Sequence, residues 1–159
     1  MESKLKLFLE TSAFNFYHYG KAGEKQRETI KLFNAIEAGK YDAYTSDSVL
    51  EEINHAADKK RSELLAIVAR YAKKIFLAND DARELAKLYV VNDIIPADYF
   101  DDALHIATAT VNNLDFVISY NMGHIIKAKT MIGTGIANLR SGYKQIGLST
   151  PKEMNEYDP

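Results

Sequence analysis

Glu10-Thr11-Ser12, Ser46 to Glu52, Asp101-Asp102 and Ser119-Tyr120-Asn121 are four short polar stretches, each ending or opening an apolar one. They offer carboxylates, hydroxyls and a carboxamide. The chain has no Cys, which excludes disulfide frameworks, thiolate zinc sites and cysteine nucleophiles. Carboxylates a few ångströms apart repel and raise one another's pKa. Mg²⁺ or Mn²⁺ resolves that conflict, because it takes oxygen ligands and keeps several waters, one of which can become a nucleophile toward phosphorus. Asp, Glu, Asn and Ser are the residue types this chemistry uses.

These stretches matter only if folding brings them together. Lys4-Leu5-Lys6-Leu7-Phe8-Leu9 begins as alternation and closes as an apolar run, the pattern of a buried strand that ends in a polar loop at Glu10. Residues 24–39 read as an amphipathic helix through Ile30, Leu32, Phe33 and Ile36, stopped by Gly39. Residues 41–46 read as a second strand. Asp47 or Ser48 is then placed to cap a helix, with Glu51 or Glu52 reaching back and Val49, Leu50 and Ile53 facing inward. Residues 62–73 and 80–91 repeat the helical period, with 74–77 a short strand or a loop between them. Pro96 precedes a helix over 99–112 whose Ala103-Leu104-His105-Ile106-Ala107 is small and apolar enough to pack deep in the fold. Residues 116–119 and 145–149 read as strands, and Thr150-Pro151 as a helix start. Strands alternating with helices predict a parallel sheet covered on both faces, and in such a sheet functional groups gather beyond the carboxyl ends of the strands.

With 47% hydrophobic and 26% charged residues, a net charge of -2, and only 3 Pro and 8 Gly, the 159-residue chain is expected to fold as one domain over 1–159 without staples. The opening MESKLKLFLETSAF carries no export signal, and no apolar run approaches the ~20 residues that cross a bilayer, so a cytoplasmic protein without membrane attachment is expected. Charge is unevenly placed. Asp80, Asp81, Glu84, Asp93, Asp98, Asp101 and Asp102 face only Arg83 and Lys87, whereas residues 121–152 hold Lys127, Lys129, Arg140, Lys144 and Lys152 and no acid. Two solvated faces account for this, as does an acidic cation pocket beside a strip that tracks phosphates.

Leu9-Glu10-Thr11-Ser12-Ala13-Phe14, Ser46-Asp47-Ser48-Val49-Leu50-Glu51-Glu52-Ile53, Asp102-Ala103-Leu104-His105-Ile106-Ala107-Thr108-Ala109 and Val117-Ile118-Ser119-Tyr120-Asn121-Met122-Gly123-His124-Ile125 resemble, in order and spacing, the four signatures of PIN domains, most closely those of VapC-like toxin ribonucleases. The resemblance implies a three-layer α/β/α sandwich and hydrolysis of RNA phosphodiesters by a metal-activated water. It implies Mg²⁺ or Mn²⁺ held by Glu10, Glu52 and Asp102. Asn121 falls at the fourth position of the site, and Ser12 and Ser119 match hydroxyl residues that bond near the metal or its waters. A homodimer and a small antitoxin that blocks the site are implied as partners. Lys127, Lys129 and Arg140 are candidate phosphate contacts. In one respect the chain departs from the pattern: Glu10 stands where the family has Asp, and the added methylene moves the carboxylate by about 1.5 Å. An alternative follows from that departure, a PIN-like module that binds RNA or protein without nuclease activity.

Each candidate also has an ordinary structural role. Glu10 could accept backbone N–H groups of the following loop, Glu52 could complete a capping box, and Asp101 competes with Asp102 as the helix cap. His105 fits a core histidine, Asn121 a turn residue, and His124 either a turn cap or a phosphate contact. Phe14, Phe16, Tyr17 and Tyr19 are expected in the loop after the first strand, as an interface or a base-stacking surface.

Overall fold

Leu7, Phe8 and Leu9 are wholly buried, as befits the middle strand of a sheet covered on both faces. In the computed structural model, which describes residues 4–19, 21 and 23–157, they belong to β1 (Lys6–Leu9). The other strands are β2 (Asp42–Ser46), β3 (Lys74–Phe76), β4 (Phe116–Ile118) and β5 (Gly147–Ser149). All pairings are parallel, in the order β3-β2-β1-β4-β5, with Phe8 opposite both Tyr44 and Val117. The chain builds outward from β1 through β2 to β3 and then returns to lay β4 on the other side of β1. The order thus reverses between β1 and β4, and a crevice opens there beyond their carboxyl ends.

The helices are α1 (Thr11–Tyr19), α2 (Glu24–Glu37), α3 (Asp47–Asn54), α4 (Asp58–Tyr71), α5 (Asp80–Val91), α6 (Phe100–Val111), α7 (Ala128–Arg140) and α8 (Pro151–Glu156). α2 packs on α1, α4 and α8, while α5 packs on α6 and α7, giving helical layers on both sides of the sheet. The expected three-layer α/β/α architecture is therefore the observed one. α6 is buried from Ala103 to Thr110, in keeping with its small and apolar sequence. Gly39, at φ 87, takes the left-handed conformation that follows the end of α2. Thr150 caps α8 by accepting from the Glu153 N–H.

Three local expectations are corrected. The segment after β1 is a helix rather than a loop, and its aromatic residues are mostly packing. Phe14 is fully buried, with its ring edge-on to Phe33 at 6.0 Å, and Tyr17 lies 5.1 Å from Phe33 and 5.7 Å from Tyr71. Ser46, the last residue of β2, caps α3 through its hydroxyl, and Asp47 instead accepts from the Ala78 N–H. α7 carries no clear apolar stripe, because its Gly and Thr residues blur the helical period. Finally, Thr29 rather than Ile30 faces the interior of α2. Residues 74–77 resolve into β3, the short strand that pairs with β2.

Candidate metal centre

Glu10 follows β1 directly and is 5% exposed. Its Oε1 accepts from the hydroxyls of Ser12 and Ser119, each at 2.6 Å, and its Oε2 from the Ser12 N–H at 3.2 Å. Each hydroxyl is held in turn by the next loop: Tyr120 N–H donates to Ser12 Oγ at 2.8 Å and Asn121 N–H to Ser119 Oγ at 2.9 Å. The ends of β1 and β4 are thereby laced through one carboxylate. The ordinary role considered for Glu10, accepting loop N–H groups, is present, but two hydroxyls carry most of the contact.

Glu52 lies on α3, half-buried. Its Oε1 accepts from Thr11 Oγ1 at 2.8 Å and lies 2.5 Å from His105 Nε2. It does not cap α3. One ligand atom from each of Glu10, Glu52 and His105 falls within 4.8 Å of the others, so three elements that are distant in sequence converge. Burial opposes the charge on Glu52, but the hydrogen bonds and charge of His105, aided by Thr11 and His55, outweigh it and hold its carboxyl below the ordinary range. Burial also opposes charge on His105, and the Glu52 bond and carboxylate, with Glu10 and Asp102, overcome it, raising the imidazole above its usual value.

Asp102 sits in the first turn of α6, where the helix terminus favours a negative charge by ~0.3–1 kcal/mol. It stands outside the 4.8 Å group but close enough for the charges of Glu10, His105 and His124 to act on it. Burial, reinforced by Glu10, raises its carboxyl above the ordinary range, although His105, the Asn121 side chain and His124 pull the other way. Asn121 Oδ1 also accepts from the His124 N–H at 3.0 Å, so the turn role considered for Asn121 is realised beside the acids. His124 stacks on Tyr99 with ring centroids 3.7 Å apart.

The basic candidates separate. Lys127 closes the loop after Asn121, its Nζ donating to the Gly123 carbonyl at 3.1 Å, and Lys129 is exposed in the first turn of α7. Arg140 occupies the last turn of α7, about 16 Å along the axis from Lys129 at 1.5 Å per residue. It borders a groove with Leu88, Asn92, Ile94 and Ile136. Because α7 returns antiparallel to the strands, this places Arg140 toward the sheet edge opposite the acids.

His105 and Thr11 are the contributors given least weight by sequence. His105 follows Asp102 by three positions on one helix, the spacing that stacks side chains on a common face. That signal was available. Thr11 carries none beyond its place between Glu10 and Ser12.

No protein-family model and no curated protein sequence matches the chain. Solved structures do. VapC20 of Mycobacterium tuberculosis, described as a sarcin–ricin loop cleaving toxin, superposes at a TM-score of 0.52 and 18% identity, over 70% of this chain and 86% of that one. VapBC2 of Rickettsia felis, bound to a DNA fragment from its promoter, gives 0.55 and 14%, over 92% and 98%. FitAcB of Neisseria gonorrhoeae gives 0.60 and 14%, over 91% and 97%. Likeness of that degree concerns the fold, and the protein accordingly has a VapC-like PIN-domain fold.

Proposed function

We propose that the protein is a metal-dependent endoribonuclease and the toxin component of a toxin–antitoxin pair. The observation that carries this reading is the convergence of Glu10, Glu52 and His105 within 4.8 Å, with Asp102 electrostatically coupled to them, at the carboxyl edge of a parallel sheet. An oxygen-rich donor set with two carboxylates in contact range suits Mg²⁺ or Mn²⁺. Glu10, Glu52 and Asp102 would hold the ion, directly or through water. When bound, a divalent ion supplies a water of lowered pKa and charge stabilisation at phosphorus.

In this reading the chain's own groups position and neutralise. Ser12 and Ser119 fix the Glu10 carboxylate, Thr11 and His105 fix Glu52, and Asn121 sits where it can orient a water beside Asp102. Lys127 and Lys129, on the same edge, would contact RNA phosphates. The VapC20 toxin of like fold cleaves the sarcin–ricin loop, and VapBC2 and FitAcB support a protein partner for this chain. A homodimer belongs to the same proposal.

The test is RNA digestion with Mn²⁺ by the parent and by Glu52→Ala/Asp102→Ala. Loss of metal-dependent cleavage in a variant that keeps its circular dichroism supports the proposal, and undiminished cleavage would falsify it. A second reading, a module that binds RNA or protein without cutting, draws on the three donors that already satisfy Glu10. Calorimetric titration separates the two, since such a module binds no millimolar metal through its carboxylates.

A further inference from the structure

Glu52 offers a ligand atom to the converging group, and the protein treats its two oxygens differently. Oε1 receives Thr11 Oγ1 at 2.8 Å, from the first turn of α1, and lies 2.5 Å from His105 Nε2, on α6. Among the described residues, no donor is found for Oε2. Donors from α1 and α6 thus grip one oxygen, and among the described residues none grips the other.

His105 itself has two possible parts to play, and its second nitrogen decides between them. The residue is 0% exposed and, among the described residues, its Nδ1 has no hydrogen-bond partner. Metal-bound histidines almost always donate the N–H of their other nitrogen to an acceptor. Were Nε2 a ligand, the hydrogen would have to reside on Nδ1, a buried N–H without an acceptor, which native proteins rarely tolerate. With hydrogen on Nε2, by contrast, the 2.5 Å contact to a carboxylate oxygen is a charge-assisted hydrogen bond, in the neutral ring and in the imidazolium alike. Nε2 is therefore the donor.

We propose that His105, although it falls inside the candidate metal group, is a positioning residue and not a ligand: with Thr11 it clamps Oε1 of Glu52 so that Oε2 alone is presented to the ion. The inference rests on the metal-site reading above. It assigns His105 the part that an outer partner of a ligating carboxylate plays, in which loss costs 10–100-fold in metal affinity or activity. The same clamp explains why an imidazole stands in the middle of a group meant for a hard, oxygen-preferring cation.

The experiment titrates Mn²⁺ into the full chain and into His105→Leu, His105→Gln and Thr11→Val. Gln keeps an N–H donor near the position of Nε2, whereas Leu removes it. The expected result is a 10–100-fold weaker Kd in His105→Leu, recovery to within about fivefold in His105→Gln, and a smaller loss in Thr11→Val. Pulsed EPR of the Mn²⁺-loaded parent is expected to show no nitrogen coupling from a coordinated imidazole. ¹⁵N NMR of the metal-free parent reads the hydrogen on Nε2 directly, whether or not the Leu variant folds. A coordinated-nitrogen signal, a hydrogen absent from Nε2, an unaltered Kd in His105→Leu, or equal losses in the Leu and Gln variants overturns the proposal. Failure of the parent to bind Mn²⁺ through Glu52 sinks the metal-site reading instead, so the two outcomes are told apart.

Discussion

Glu52 and Asp102 are half-buried carboxylates on packed helices, α3 and α6, yet their affinities for a proton move in opposite directions. Burial acts against the charge of both. What differs is the company. Glu52 has Thr11 and His105 on one oxygen, and these donors offset its desolvation. Asp102 has weaker help and the nearby Glu10 carboxylate against it. One half of the site is balanced by the protein, and the other carries charge that a cation would relieve. Carboxylates perturbed by burial and by a specific charged neighbour cluster at functional sites.

Replacing each acid by its amide gives the sharpest test of that contrast. In the proposed nuclease, Glu52→Gln and Asp102→Asn both lower metal-dependent cleavage by roughly 100-fold or more, the scale of losing one preorganised electrostatic partner. Their effects on the metal-free fold should have opposite signs. Asp102 binds its proton more tightly folded than unfolded, so the fold loses stability as pH rises above the ordinary aspartate range, and Asp102→Asn restores it at pH 7. Glu52 binds its proton less tightly when folded, so its contribution is present above the unfolded value and is lost as pH falls through the folded one; Glu52→Gln destabilises at pH 7. Thermal melts without metal read the signs, at about 2–4 °C per kcal/mol for a chain of this size. Equal signs would break the contrast.

A smaller effect on cleavage is expected at Glu10. Glu10→Asp draws the carboxylate back by about 1.5 Å from two hydroxyls that now meet it at 2.6 Å. Each bond to a charged group contributes ~1.5–3 kcal/mol, so the variant melts lower and cleaves less. A gain in activity would show that the longer side chain is a weakened ligand rather than one the pocket is built around.

The smallest effect separates the two ends of α7. Removing Lys127 and Lys129 weakens RNA binding and flattens its salt dependence by ~0.7 per lost phosphate contact on a single strand. Arg140→Ala leaves the slope unchanged, because that side chain lies toward the opposite edge of the sheet. A slope altered by Arg140→Ala alone would move the RNA path onto the α5–α7 groove.

Strand and helix order was legible because period and punctuation are local. Leu7-Phe8-Leu9, Phe116-Val117-Ile118, Gly39 and Thr150-Pro151 each announce themselves within a few residues. α1 escaped because Glu10-Thr11-Ser12 reads as a polar loop and the aromatic run behind it lacks a clean helical stripe; packing of Phe14 and Tyr17 on Phe33 decides it. α7 escaped for the same want of a stripe.

The amino-acid order alone determined which acids were available and that a parallel sheet would bring strand ends together, since side-chain chemistry and periodicity are properties of short segments. Only the folded chain decided that His105 faces Glu52, that Ser12 and Ser119 share Glu10, and that Arg140 stands apart. Hydrogen-bond partners more than a hundred positions away, as Ser119 is from Glu10, are selected by the crossing of strands, and no local pattern encodes them.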